Sequence, residues 1–267
     1  MTSLAETVLS LLGAEIKSAR PLQGGDLSEV QLLQLSGGRQ AVAKSGPLAE
    51  REAAMLQAVR AAGAPAPKVL GTADGLLLME ALEETSAAPA GWQALGTALR
   101  QLHSATGTQY GWDCTYAFAH VEIPNAPLQN WPGFWAARRL LADPAALPRD
   151  LRLRIERLCS RLPELLPAEP PCALLHGDLW TGNVLFSFDT AYLIDPACYY
   201  GHSEVDLAML HLFGSPPAEF YDSYGRLEPG FEIRRLVYQL WPALVHLRLF
   251  GSSYRSMVET RLEALGV

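Results

Sequence analysis

The chain has 267 residues, of which 49% are hydrophobic and 18% charged, and it carries a net charge of −7. This length suits one large domain or two small lobes with a sizeable core. The acidic balance, without any run of five like charges, argues against a nucleic-acid-binding surface, and no stretch of 18 apolar residues is present to span a membrane.

The cysteine content indicates a reducing compartment. Cys114, Cys159, Cys172 and Cys198 are too few and too widely spaced for a disulfide scaffold or a zinc knuckle. The first twelve residues lack the basic segment of a signal peptide. We therefore expect a cytoplasmic protein with reduced thiols.

The first 83 residues predict a compact antiparallel sheet with one main helix. Apolar residues at helical spacing predict a short helix at 4–12, and a run of helix formers predicts the main helix at 48–62. Short apolar runs separated by glycine-containing turns predict strands at 30–35, 40–44, 69–70 and 76–79.

Beyond residue 83 the composition becomes helical. Helices are predicted at 92–104, 131–142, 150–166, 203–213 and 231–262, with Leu95, Leu99 and Leu102 on one face of the first. Short apolar runs between loops fill 172–195. The economical interpretation is an α+β protein with a smaller sheet-containing lobe, residues 1–83, and a larger, mostly helical lobe, residues 84–267.

A polar loop between two apolar runs, LLHGDLWTGNVLF at 174–186, is the most informative stretch. Asp178 and Asn183 lie five residues apart, and Asp195 ends the next apolar run. Phosphoryl transfer needs positioning and charge neutralisation. Asp178 would take the proton of an acceptor hydroxyl, and Asn183 and Asp195 would supply the oxygen ligands that Mg²⁺ prefers. An isolated Asp-x-x-x-x-Asn is common by chance, so the order of the other groups matters.

Upstream of this loop, Lys44 ends a predicted strand. It would contact the α- and β-phosphates of ATP and be held by a carboxylate of the following helix. Glu50 and Glu52 are the candidates, and Glu52 is favoured because its helix face lies near the predicted core.

Two backbone segments of the first lobe complete the predicted nucleotide site. Gly24 and Gly25, followed by Ser28, would let backbone N–H groups approach phosphates. The backbone of Glu80 and Leu82 would bind adenine. Taken alone, the first segment also fits an ordinary turn and the second a plain strand end.

Four motifs follow one another along the chain: His176-Gly-Asp-Leu-Trp180, Gly182-Asn183, Ile194-Asp195-Pro-Ala and Tyr200-Gly-His-Ser-Glu-Val-Asp206. Through these motifs the chain resembles the fructosamine/ketosamine kinase family over roughly residues 20 to 255. That family is a branch of the aminoglycoside-phosphotransferase-like kinases. The resemblance implies a two-lobed protein-kinase-like fold, ATP and Mg²⁺, and phosphorylation of the 3-hydroxyl of a free or protein-bound ketosamine, which promotes deglycation. We expect a monomer in which Asp206 accepts backbone N–H groups of the catalytic loop and His176 anchors it.

The acceptor pocket is the least determined part of the sequence interpretation. Sugars stack on aromatic faces, so Trp180, Tyr200, His202, Trp131 and Tyr254 are candidate substrate contacts, although packing in the core is the alternative for each. Two other functions remain open. One is another small-molecule kinase of this fold, for an aminoglycoside, choline or homoserine, and the other is a catalytically inactive nucleotide-binding module.

Overall fold

The computed structural model describes residues 3–22 and 29–267. In the first lobe, five strands form an antiparallel sheet in the order β1-β2-β3-β5-β4. Its elements are α1 (Leu4–Leu12), β1 (Ile16–Pro21), β2 (Glu29–Leu35), β3 (Gln40–Ser45), α2 (Ala49–Ala61), β4 (Val69–Ala73) and β5 (Leu76–Glu80).

Both faces of this sheet are covered. Successive side chains of a strand point to opposite faces. On β5, Leu76 and Leu78 join the small core beneath α1, whereas Leu77 and Met79 join the larger core that includes α2. The main helix is thereby fixed against the sheet.

The second lobe is mainly helical, with three two-stranded antiparallel pairs. Its elements are α3 (Pro89–Ser104), β6 (Tyr116–Phe118), β7 (Val121–Ile123), α4 (Trp131–Trp135), α5 (Arg149–Leu165), β8 (Ala173–Leu175), β9 (Val184–Ser187), β10 (Thr190–Leu193), β11 (Tyr199–Gly201), α6 (Glu204–Leu210), α7 (Ala218–Tyr224), α8 (Phe231–Phe250) and α9 (Arg255–Ala264). The strand pairs are β6-β7, β8-β11 and β9-β10. The predicted apolar face of α3 is confirmed, since Leu95, Leu99 and Leu102 are buried.

Several elements differ from the sequence prediction, which also lacked the short strands β6, β7 and β11. The strand β1 was not predicted because it lies at the sheet edge and five of its six residues are exposed, so it lacks the alternation of a half-buried strand. The helix α7 is only seven residues long and follows two prolines. The predicted helix at 131–142 is α4 followed by a π-helical turn, and that at 231–262 is broken at Gly251 into α8 and α9.

An extended segment joins β5 to α3, and the lobe boundary predicted after residue 83 falls within it. That boundary stays a prediction. Within the described ranges, no helix combines the length and the apolar character needed to cross a lipid bilayer.

Close packing of α7 on α3 depends on Gly96. A Cβ atom at this position would lie 2.3 Å from the carbonyl oxygen of Phe220 and 2.9 Å from the backbone nitrogen of Tyr224. Backbone atoms cannot move aside as a flexible side chain can, so the contact requires glycine here.

We expect Gly96→Ala to lower the free energy of unfolding by about 1–3 kcal/mol, because overpacking outweighs the better helix propensity of alanine. Urea denaturation measures this change. Gly214→Ala is the matched control, since a Cβ there meets nothing within 4 Å. Equal stability of the two variants would contradict the steric explanation.

Candidate active site

The polar loop after β8 is held by a carboxylate from α6. Asp206 is fully buried and accepts the backbone N–H of His176 at 2.7 Å and that of Gly177 at 2.9 Å. His103 on α3 lies 3.1 Å from the same carboxylate. The expected role of Asp206 is therefore confirmed, and the loop begins in a fixed position.

The imidazole of His176 fastens the loop to the segment that carries Asp195. Its Nε2 donates to the carbonyl oxygen of Ile194 at 2.9 Å, and its Nδ1 accepts the N–H of Asp178 at 3.3 Å. Burial lowers the pKa of His176, which favours the neutral ring that this pattern needs. As expected, His176 anchors the loop.

A second constraint on the loop is steric. Gly177 has φ +83°, and a Cβ there would lie 2.1 Å from the carbonyl oxygen of Ala197. The N–H of Ala197 in turn donates to the carbonyl oxygen of His176 at 2.8 Å. The two segments approach so closely that only glycine fits.

Asp178 and Asn183 are joined within the loop. The Nδ2 group of Asn183 donates to the carbonyl oxygen of Asp178 at 2.8 Å and to its Oδ2 at 2.9 Å. Burial raises the pKa of Asp178 to about 7; the Asn183 hydrogen bond opposes this rise and the charge of Asp195 adds to it. A carboxylate tuned toward neutral pH is suited to accept a proton.

Lys44 on β3 binds one carboxylate from each lobe. Its Nζ donates to Glu52 Oε1 at 2.8 Å and to Asp195 Oδ1 at 2.9 Å. Burial lowers the pKa of Lys44, but the two carboxylates more than offset this and the net direction is upward. The expected partner Glu52 is present, whereas Glu50 accepts the N–H of Gly75 at 3.3 Å.

The oxygen donors near this cluster fit a magnesium ion. Because Nδ2 of Asn183 faces Asp178, its Oδ1 is directed away from that carboxylate. Asp195 has φ +53°, and 37% of its side chain is exposed. Amide and carboxylate oxygens are the hard ligands that Mg²⁺ prefers, so the donor set is chemically suitable.

These side chains lie at one end of a cavity of about 700 Å³, a volume typical of small-molecule sites. Lys44, Glu52, Asp178, Asn183 and Asp195 all line it. The structure therefore brings together the five polar groups that the sequence placed far apart.

Among the candidate substrate contacts, Trp180 and Tyr254 line the cavity. Trp180 is 38% exposed, so packing in the core does not explain it. Trp131 and His202 are buried and do not line the cavity, so the alternative of core packing accounts for both positions; substrate contact by them stays a prediction. Tyr200 packs on Trp112 at a centroid distance of 5.5 Å and does not line the cavity, and its contact with substrate likewise stays a prediction.

Tyr238 was missed by the sequence interpretation. It lines the cavity, and its hydroxyl joins Trp131 Nε1 at 2.9 Å and His202 Nδ1 at 2.8 Å. Trp131 and His202 thus hold the Tyr238 side chain in place through hydrogen bonds to its hydroxyl. The sequence interpretation gave Tyr238 no role in the site, because its neighbours in α8 are mostly apolar and predict core packing.

The predicted nucleotide segments have different outcomes. Gly24, Gly25 and Ser28 lie outside the described residues. Glu80 and Leu82 do not line the cavity, and the N–H of Glu80 donates to the carbonyl oxygen of Lys68 at 2.9 Å. Adenine binding by these two residues stays a prediction.

Comparison with known proteins gives a match along almost the whole chain. Residues 2–265 match the family model described as fructosamine kinase. A probable ketoamine kinase of Thermus thermophilus is 34% identical over 242 residues, 88% of this chain and 89% of the relative. The ketosamine-3-kinase of Mus musculus is 35% identical over 156 residues, 55% of this chain and 50% of the relative.

Solved structures show the same architecture. A crystal structure from Thermobifida fusca, provisionally described as a fructosamine-3-kinase, has a TM-score of 0.89 and 32% identity, with 98% of each chain covered. An aminoglycoside phosphotransferase in complex with AMP-PNP and hygromycin B has a TM-score of 0.69, with 98% of this chain and 97% of the other covered. At 16% identity the latter shows the fold alone, and it confirms the two-lobed kinase-like α+β class.

We expect Asp206→Asn to lower the free energy of unfolding by about 2–3 kcal/mol. The amide removes a charged acceptor and places a donor against a backbone N–H or His103. Urea denaturation measures the loss. Asp222→Asn, at an exposed carboxylate of α7, is the control and should change stability by less than about 0.5 kcal/mol. Similar losses in both variants would refute this role.

Proposed function

The chain belongs to the fructosamine kinase family, and from this membership we propose that it transfers the terminal phosphate of ATP to the 3-hydroxyl of a ketosamine. As a family member it is a phosphotransferase with an alcohol group as acceptor. The observation that carries the proposal is the cluster of Lys44, Glu52 and Asp195 facing Asp178 in one cavity.

In the proposed reaction Asp178 orients the acceptor hydroxyl and takes its proton. The acceptor oxygen forms a bond to the terminal phosphorus, and the bond from that phosphorus to the bridging oxygen breaks. The raised pKa of Asp178 makes it a stronger base than an exposed carboxylate. The Asn183 amide keeps the Asp178 carboxylate in position.

The donor side of the reaction depends on Lys44. Glu52 holds the ammonium, which would contact the non-transferred phosphates. Asn183 and Asp195 would hold Mg²⁺, whose charge would offset that of the phosphate oxygens. Positioning and charge neutralisation of this kind are the main protein contributions to phosphoryl transfer.

The product would release its amine. Phosphate is a better leaving group than hydroxide, so we infer that a ketosamine 3-phosphate loses a proton from C1 and phosphate from C3. The product of this elimination is an imine at C1, and water hydrolyses its C=N bond to a carbonyl and the free amine. The consequence would be deglycation of a free or protein-bound amine.

Two observations weigh against the alternative functions. Among the described residues that line the cavity, the acidic side chains are Glu52, Asp178 and Asp195, and two of them bind Lys44. This leaves few carboxylates for a polycationic aminoglycoside. The complete set of polar groups in one cavity also disfavours an inactive nucleotide-binding module.

Incubation with magnesium-ATP and a ribulosamine or fructosamine should yield ADP and a sugar phosphate. Phosphorus NMR of the purified product should place the phosphate on C3, and chelation of the magnesium should stop turnover. Turnover of another alcohol together with no turnover of any ketosamine would overturn the acceptor assignment and leave a kinase.

Asp178→Asn should lower kcat by roughly 10²–10⁴-fold, the usual contribution of a general base. The dissociation constant for ATP, measured by isothermal titration calorimetry, should change little, because Lys44 and its partners remain. Asp189→Asn removes an exposed carboxylate outside the cavity and serves as the control. Full activity of Asp178→Asn would show that the base is misassigned.

A further inference from the structure

Five aromatic side chains form a continuous wall along the cavity, beginning next to the catalytic loop. Ring centroids are 5.9 Å apart for Trp180 and Phe213, 5.6 Å for Phe213 and His246, 5.0 Å for His246 and Tyr254, and 5.6 Å for Phe250 and Tyr254. All five residues line the cavity. We call this surface the aromatic wall.

The aromatic wall keeps large apolar surfaces in contact with water. Trp180 is 38% exposed, Phe213 53% and Phe250 43%. Isolated exposed apolar side chains are ordinary, but a contiguous group beside a catalytic centre indicates a ligand surface. The rings contact each other rather than the core, so they are available to a bound molecule.

The surface beside the aromatic wall is also apolar. Phe118 of the β6–β7 hairpin and Met209 of α6 line the same cavity, as do Trp241, Val245 and Leu249 of α8. The carboxylates described along the cavity, those of Glu52, Asp178 and Asp195, lie in the catalytic cluster. The aromatic end therefore offers apolar contact without a carboxylate for a substrate ammonium.

We propose that the aromatic wall binds the amine-derived part of the acceptor and selects uncharged, apolar substituents, above all aromatic ones. The inference rests on the proposed ketosamine acceptor. In a ketosamine the amine is attached to C1, two carbons from O3. A sugar whose 3-hydroxyl meets Asp178 therefore carries its nitrogen substituent close to the catalytic loop. Trp180, two residues after Asp178, is where the aromatic wall begins.

The test compares fructosamines of benzylamine, cadaverine and glycine, which share one sugar and differ in the amine. Isothermal titration calorimetry with the full chain should show tightest binding for the benzylamine adduct. The variants Phe213→Ala and Phe250→Ala should weaken this binding by roughly three- to tenfold, the range expected for loss of one aromatic contact. They should affect the glycine adduct much less.

Phe188→Ala is the matched control, because Phe188 is 65% exposed and does not line the cavity. It should bind all three adducts like the parent chain. Circular dichroism of each variant verifies the fold, which removal of an exposed ring leaves intact.

Turnover of the same three adducts separates this inference from the proposed function. Equal affinity for all three, or a preference retained in the Phe213→Ala and Phe250→Ala variants, overturns the role of the aromatic wall even when every adduct is phosphorylated. A binding preference that both variants lose supports that role even when turnover fails, and in that case the proposed acceptor chemistry is wrong.

Discussion

One lysine connects the two lobes at the place where chemistry is proposed. Lys44 extends from the sheet of the first lobe, and its ammonium binds Glu52 of α2 and Asp195 of the second lobe. Two carboxylates surround one ammonium, and the charge of Asp195 also acts on the nearby Asp178, so the cluster carries excess negative charge. The buried Glu52 carboxylate depends most on the lysine, since an unpaired buried charge costs several kcal/mol, whereas 37% of the Asp195 side chain is exposed. The same ion pairs therefore fix the position of one lobe against the other and set the charge balance of the site.

Buried aromatic side chains behind the cavity support Tyr238, which lines it. Trp131 and His202 both bond to the hydroxyl of Tyr238, while Trp135 packs edge-on against the Tyr238 ring at 5.0 Å. The hydroxyl thus meets polar partners inside an otherwise apolar core, as buried tyrosines require. These contacts hold the Tyr238 ring in place at the cavity wall.

The polar residues of the candidate site could be predicted from the sequence, because phosphoryl transfer needs particular residue types and several of them lie at short spacings. Asp178, Asn183 and Asp195 belong to that local pattern, Lys44 lies far upstream in the expected order, and the structure brings all four together. Which aromatic residues face the cavity could not be read in this way. Trp131 and Trp180 look alike as residue types, but burial is decided by contacts with α8, far away in sequence. The edge strand β1 and the short helix α7 were missed for a similar reason, since they are stabilised by their neighbours and not by their own periodicity.

The two backbone hydrogen bonds to Asp206 determine when the loop that follows β8 becomes ordered. A loop that had to organise around each incoming ligand would lose conformational entropy in every cycle, at roughly 1–2 kcal/mol per ordered residue. His176 and Gly177 are held by a carboxylate with no exposure to water. The disorder of this loop is lost once, when the chain folds, and the protein without ligand already holds Asp178, the proposed base, in a fixed position.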